Sequence, residues 1–196
     1  MESLSAIEIL KKLWDKNIKF VDYSVLGKIT GYTNKNTIYK FAERLLKKGV
    51  LARISPGLFL LKDVAVSEFE IANYIYPPSY VSLESALSFY GILPQFAYTI
   101  TSITTRKVKR MLVEGKEYSY SKINEDLYWG YEKKKDILIA SPEKALLDIM
   151  YFASKGISRP AFEEMDLTII DKDKLIVGAK KFKSRFVLDK AIEITK

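Results

Sequence analysis

The chain has 196 residues, of which 48% are hydrophobic and 29% are charged, so it can form one or two domains with a packed core. It contains no cysteine and no histidine, which excludes disulfides, cysteine nucleophiles, Cys/His zinc sites and serine–histidine triads. The net charge is +8, and up to Lys62 twelve Lys/Arg face five Asp/Glu, which indicates either a polyanionic partner or a solvated lysine-rich surface.

The first segment begins with two predicted helices. Apolar residues at helical spacing predict the first helix over residues 4–16. Residues 20–21 predict a short extended piece. A second, short helix follows, which Asp22 or Ser24 can cap and Gly31 ends.

A third helix and a β-hairpin complete this segment. The third helix has Thr33 as its expected N-cap and stops at Gly49. Its apolar positions repeat at i, i+3, i+4, i+7 and i+8, the spacing of an amphipathic helix, and they are Ile38, Phe41, Ala42, Leu45 and Leu46. Two apolar runs, 50–54 and 57–61, flank a short turn and predict the hairpin.

Helices followed by a hairpin within residues 1–62 are the element order of a winged helix-turn-helix DNA-binding domain. The outer face of the third helix would then enter the major groove, where short amides and hydroxyls contact bases or phosphates and cations contact phosphates. Arg53 lies in the hairpin, where a wing meets the DNA backbone or the minor groove. The candidate DNA-binding residues are Thr33, Asn34, Lys35, Asn36, Thr37, Tyr39, Lys40, Arg44, Lys47 and Arg53.

Each of these residues also has a structural interpretation. Tyr39 can be a partly buried aromatic, and Asn34 can help to cap the helix. Lys47 lies in the last helical turn, where a cation complements the helix dipole without any ligand. The same fold also serves as a protein-interaction module, so an adaptor remains the alternative to a DNA-binding protein.

Residues 63–196 predict a second domain of mixed α+β type. A helix follows Ser67 and is broken by the prolines at 77–78. Another helix has Ser82 as its expected cap and Gly91 at its end. Strand patterns, including one hairpin, cover 98–105, 111–120 and 136–140.

The last third of the chain is expected to be helical. Ser141 as cap and Pro142 at the first position predict a helix that ends at Gly156. Further helical stretches are expected at about 160–166, 171–182 and 185–194. Asp148 lies on the largely apolar helix before Gly156, where we expect an internal pair or a partner contact.

No enzymatic motif emerges from the sequence. There is neither a Walker loop nor a GxGxxG motif. The nearest approach to a metal-dependent nuclease is Asp136 on a strand with Lys116 and Glu117, at a poor spacing. We therefore expect a non-enzyme without cofactor or metal. A signal peptide pattern and an apolar run of membrane-spanning length are both missing, so we expect a cytoplasmic protein.

Several blocks of the sequence resemble AbiEi-type antitoxins. The segment Pro77–Leu87 with Tyr90-Gly91 resembles their S-x-x-S-A-L-x-x-x-G helix, and Ser141–Asp148 resembles their p-E-K-A-L-L-D helix. Pro56–Phe59 and Thr104–Arg106 resemble the end of their wing and a strand end. The matches run in family order from about residue 20 to 155, and the tail after Gly156 matches nothing in the family pattern.

The resemblance implies a bacterial or archaeal transcriptional repressor of a type IV toxin–antitoxin or phage-defence system. It implies an N-terminal winged helix-turn-helix at 1–62 that binds inverted repeats in its own promoter. Since one winged helix reads one half-site, we expect two chains on one repeat. It implies that the domain at 63–196 helps repression and counteracts a separate nucleotidyltransferase toxin of the AbiEii type. A stand-alone regulator, or an adaptor without a toxin partner, remains the alternative.

Overall fold

The computed structural model of the chain describes residues 6–94 and 98–195. The protein is of mixed α+β type and divides into two compact units, Met1–Ser67 and Glu68–Lys196. The expected boundary after Lys62 thus moves to Ser67, because Val64 still packs against the core of the first unit. Leu4, expected in the first helix, lies outside the described residues.

The helices of the first unit are α1 (Ala6–Asp15), α2 (Tyr23–Thr30) and α3 (Lys35–Lys47). The side chain of Asp22 caps α2, so the choice that the sequence left open falls on this residue. Gly31 ends α2 with a φ of 74°, a left-handed conformation that glycine adopts without steric cost.

A small sheet completes the first unit. It consists of β1 (Phe20–Asp22), β2 (Leu51–Ser55) and β3 (Leu58–Leu61) in the order β1-β3-β2, with antiparallel pairing throughout. The strands β2 and β3 form the predicted hairpin around Pro56 and Gly57, and Gly57 has a φ of 79°. The hairpin therefore places Arg53 on β2, next to the central strand.

One hydrophobic core joins these helices and strands. Its buried members come from α1, α2, α3 and all three strands, and they are Ile9, Leu13, Val21, Leu26, Ile38, Phe41, Ala42, Leu45, Val50, Leu51, Phe59 and Leu61. Four of the five predicted apolar positions of α3 are buried in it, and Leu46 packs partly buried against it. The opposite face of α3 is consequently left in water.

The second unit is built on a six-stranded mixed sheet in the order β6-β7-β5-β4-β9-β8. The pairs β5/β7 and β4/β9 are parallel, and the other neighbours are antiparallel. The strands are β4 (Ser79–Val81), β5 (Ile100–Thr104), β6 (Lys109–Val113), β7 (Lys116–Lys122), β8 (Tyr131–Lys134) and β9 (Ile137–Ala140).

Helices precede, interrupt and follow this sheet. They are α4 (Glu68–Ile75), α5 (Leu83–Phe89), α6 (Pro142–Ser154), α7 (Lys172–Lys181) and α8 (Arg185–Thr195). The Ser141 hydroxyl accepts a hydrogen bond from the N–H of Lys144 at 3.2 Å, which confirms the predicted start of α6. Among the described residues, no helix is long and apolar enough to cross a membrane.

Two expectations for the second unit need correction, and two strands were missed. The helix expected at 160–166 is only a short 3-10 turn, Phe162–Glu164, because none of its residues is buried to support a longer helix. Asp136 lies in the turn between β8 and β9 rather than on a strand. The strands β4 and β8 were not anticipated from the sequence pattern.

Candidate nucleic-acid interface

The N-terminal end of α3 is capped by Asn34, so the expectation that Thr33 is the N-cap is wrong. The side-chain oxygen of Asn34 accepts hydrogen bonds from the N–H groups of Asn36 at 2.9 Å and Thr37 at 3.2 Å. Asparagine ranks above threonine at this position of a helix. The capping bonds occupy the side-chain oxygen of Asn34 and leave its NH₂ group for a ligand.

Burial of one face of α3 turns the predicted contact residues towards solvent. Ile38, Phe41, Ala42 and Leu45 are buried in the core of the first unit. All ten candidate residues are exposed, and they are Thr33, Asn34, Lys35, Asn36, Thr37, Tyr39, Lys40, Arg44, Lys47 and Arg53. The helix and the hairpin therefore present these side chains to water, where a polyanion can reach them.

The lysines of α3 keep their charge available to a ligand. Within the part of the first unit that the structure describes, no carboxylate forms an ion pair with Lys35, Lys40 or Lys47. Lys47 also lies in the last turn of the helix, where its charge complements the dipole. The exposed face of α3 is consequently positive, as binding to phosphates requires.

Arg53 differs from these lysines because it is already paired. Its guanidinium donates to a carboxylate oxygen of Glu43 at 2.5 Å, and it also lies 5.4 Å from the centre of the Phe59 ring. The two side chains of the pair are 44% and 54% exposed. Ion pairs exposed to this extent contribute about 1 kcal/mol or less, so a phosphate can replace Glu43 at low cost.

Aromatic contacts hold two further candidates in place. Tyr39 is 45% exposed, and its ring packs edge-on against Tyr23 with 4.3 Å between the ring centres. Tyr23 in turn packs against Phe59 at 5.5 Å. The guanidinium of Arg44 lies 4.7 Å from the centre of the Phe41 ring. Tyr39 is therefore a partly buried aromatic: one part of its ring packs against Tyr23, and the rest is exposed to solvent.

A second basic feature of the first unit was missed by the sequence reasoning. A cleft of about 420 Å³ beside α1 and α2 has three lysines in its walls. Its lining residues are Lys12, Lys16, Ile18, Val25, Lys28 and Ile29. The spacing of Lys12 and Lys16, four residues apart, is the signal that could have indicated a shared basic face.

The residues of the nuclease alternative are not brought together. In the ranges 6–94 and 98–195 there is no cluster of acidic residues that could hold a metal ion. Lys116 pairs with Glu68 at 3.1 Å, and Glu117 accepts a hydrogen bond from the Thr99 hydroxyl at 2.9 Å. Asp136 directly precedes β9, whereas Lys116 and Glu117 lie on β7, and the strands β5 and β4 lie between β7 and β9 in the sheet.

The most buried charges of the second unit form an ion pair between Lys144 and Asp148 on α6. The two side chains are 1% and 0% exposed. The hydroxyls of Ser82 and Tyr80 donate to the same carboxylate at 2.8 and 3.1 Å. Ser82 does precede α5, but its hydroxyl makes no capping bond, because Asp148 is its acceptor.

Burial and ion pairing have opposite effects on the pKa values of Lys144 and Asp148. Burial raises the pKa of the Asp148 carboxyl above its usual range, while the ammonium of Lys144 opposes that rise. Burial likewise lowers the pKa of Lys144, whose ammonium lies 5.0 Å from the ring centres of both Trp129 and Phe182. With no exposed surface, Asp148 is closed to any partner, so the pair fixes α6 against β4 and α5.

Comparisons with known proteins assign no family to these features. A scan against protein-family models finds no match, and a search of curated proteins finds no significant match.

Proposed function

We propose that the first unit is a winged helix-turn-helix that binds double-stranded DNA. In this proposal α2 and α3 form the helix-turn-helix, and the β2–β3 hairpin is the wing. The observation that carries it is the exposed face of α3, with polar residues at its start and, along it, lysines that pair with no carboxylate of the described residues. The 13 residues of α3 span about 20 Å, enough to lie in a major groove.

We further propose that the protein is a transcriptional repressor. One domain of this kind reads one half-site, so two chains would occupy an inverted repeat whose half-sites are about 34 Å apart. The side chains of Asn36 and Thr37, at the start of α3, would contact base edges. Lys40, Arg44 and Lys47 would contact phosphates, because charge contacts of this kind supply affinity without reading sequence.

The resemblance to AbiEi-type antitoxins supports a more specific role. On this basis the protein would act in the cytoplasm, repress its own operon and counteract a nucleotidyltransferase toxin encoded next to it. Co-expression with that neighbouring gene tests the toxin partnership separately from DNA binding. Relief of toxicity would support it, whereas unchanged toxicity alongside intact promoter binding would leave a stand-alone regulator.

An electrophoretic mobility shift with the region upstream of its own gene tests DNA binding. The double variant Lys40→Ala/Lys47→Ala should weaken binding and flatten the dependence of log K on log salt by about 0.9 for each lost phosphate contact. The matched control is Lys133→Ala/Lys135→Ala, which removes the same charge from exposed positions of the second unit. This control should leave both affinity and slope unchanged.

Two results would overturn the proposal. The first is the absence of a salt-sensitive shift for the wild-type protein at low salt. The second is an equal loss for the α3 variant and its control, because only net charge would then matter. Circular dichroism of each variant verifies that the helices remain folded. Co-purification with a protein partner in the absence of promoter binding would instead support an adaptor.

A further inference from the structure

A cleft of about 570 Å³ lies in the second unit, and its lining residues are different from those of the candidate nucleic-acid interface. Its walls come from the C-terminal ends of α6 and α7, the start of α8 with the turn before it, and the short 3-10 helix Glu125–Leu127. This volume lies within the range of roughly 300–1,000 Å³ that is typical of small-molecule sites. The cleft is therefore large enough for a ligand of moderate size.

Three lysines line this cleft, namely Lys155, Lys181 and Lys183. Throughout the described part of the chain, none of them forms an ion pair with a carboxylate. The ammonium of Lys155 lies 5.2 Å from the ring centre of Tyr151, which also lines this cleft. The ammonium of Lys181 lies 4.5 Å from the ring centre of Trp129, which lines a different cleft. Lysine side chains thus line one concave surface, and none of them is engaged in an ion pair within the described residues.

Helix dipoles account for only part of this arrangement. Lys155 caps the C-terminus of α6 and Lys181 is the last residue of α7, where cations are favoured. Lys183 follows in the turn with a φ of 50°, a left-handed conformation that costs a lysine about 1 kcal/mol more than a glycine. Lys183 lies between α7 and α8 and belongs to neither helix, so the dipole of its own helix C-terminus does not account for its position at the cleft.

The remaining walls restrict what the cations can bind. Phe186 is 46% exposed, and Tyr151 is partly buried beside Lys155, so flat aromatic surfaces lie next to the positive charge. Asp126 also lines the cleft and would repel a bare phosphate, but its carboxylate can accept hydrogen bonds from hydroxyls. Phosphate, an aromatic base and sugar hydroxyls together are the chemistry of a nucleotide.

We propose that this cleft binds a nucleoside phosphate. The phosphates contact Lys155 and Lys183, the base stacks on Phe186, and Asp126 accepts a hydrogen bond from the sugar. Aromatic rings bind the faces of nucleobases in this way whether the nucleotide is free or part of a strand. The site is a small-molecule site in addition to the DNA-binding function proposed above, and it does not depend on that function.

Isothermal titration calorimetry on the full chain tests the proposal, with ATP, GTP, inorganic pyrophosphate and adenosine as probes. We expect saturable one-to-one binding of a nucleoside triphosphate that weakens as salt increases. Lys155→Gln/Lys183→Gln should weaken it roughly tenfold, because two solvent-exposed charge contacts, each worth about 1 kcal/mol or less, are lost. Phe186→Ala should weaken binding of the nucleotide but not of pyrophosphate.

Two control variants separate this site from other sources of binding. Lys133→Gln/Lys135→Gln changes the net charge equally and should bind as the wild type does. Lys40→Ala/Lys47→Ala should lose promoter binding and keep nucleotide binding, so failure of one proposal is distinguishable from failure of the other. Competition between ATP and a short single-stranded oligonucleotide, with tighter binding of the latter, would support the same chemistry and identify a strand end as its source.

The proposal is overturned if no nucleotide binds saturably. It is also overturned if the control lysine pair weakens binding as much as Lys155→Gln/Lys183→Gln does, because that result indicates non-specific attraction of anions. Equal affinity for ATP and pyrophosphate, with no effect of Phe186→Ala, would likewise refute a site for the nucleoside.

Discussion

Removing one charge of the buried pair Lys144–Asp148 is expected to cost far more stability than removing both. Asp148→Asn leaves the ammonium of Lys144, which is 1% exposed, without a counter-ion. Breaking a buried pair in this way costs about 3–5 kcal/mol. Lys144→Met should lower the free energy of unfolding by a similar amount, although Ser82 and Tyr80 still donate to the carboxylate. Either change removes a large part of a total stability of about 5–15 kcal/mol.

The double variant Lys144→Met/Asp148→Asn removes both charges and keeps a side-chain oxygen for Ser82 and Tyr80. We expect it to lie within about 2 kcal/mol of the wild type, because the desolvation of both ions is no longer required. Urea unfolding at pH 7 measures the free energy of unfolding of the wild type, the two single variants and the double variant. Trp129 fluorescence in a Trp14→Phe background reports on the second unit, because the chain has two tryptophans and Trp14 belongs to the first. A double variant as unstable as the sum of the single variants would refute the reasoning.

Three further predictions concern local features. Glu43→Gln frees Arg53 from its ion pair, so DNA binding in the mobility shift should tighten and its salt slope should steepen by up to about 0.9, whereas weaker binding would show that the pair positions Arg53 for DNA. Asn34→Ala should destabilise the first unit by about 1 kcal/mol in urea unfolding while Asn34→Ser retains most of the cap, and equal losses would refute the capping role. Burial raises the pKa of Tyr118 from 10.0 to about 12, so the folded state keeps a proton that the unfolded state releases, and stability present below pH 10 should fall as the pH approaches 12. Tyr118→Phe should flatten this alkaline decline in the urea midpoint, and an unchanged decline would contradict the assignment.

The elements that are determined by a local residue pattern could be predicted from the sequence. The i, i+3, i+4 spacing of apolar residues in α3 states directly which face is buried, and the structure buries Ile38, Phe41 and Leu45 on that face. The start of α6 could also be predicted, because Ser141 and Pro142 lie within one helical turn of the residues that they cap. In both cases the determining interactions lie within a few residues along the chain.

Features that depend on distant residues could not be predicted. The strand β4 has three residues, and it exists because Val81 pairs with Ser102 on one side and with Ile139 on the other. Ser82 satisfies the local pattern of a cap, yet its hydroxyl bonds to Asp148, 66 residues away. The Glu43–Arg53 ion pair joins α3 to the hairpin, and neither the helical nor the strand periodicity of the sequence indicates a contact between these two residues.

Lysines have different roles in the two units, and their exposure to water determines the role. The charge of Lys144 is neutralised inside the second unit, because an unpaired ammonium cannot be buried without a large free-energy cost. Lys40 and Lys47 remain in water without a carboxylate partner in the described part of their unit, so contact with a phosphate gains counter-ion release at little desolvation cost. Arg53 lies between these extremes, because a phosphate must first displace Glu43. Loss of DNA affinity on substitution by alanine should therefore be larger for Lys40 than for Arg53.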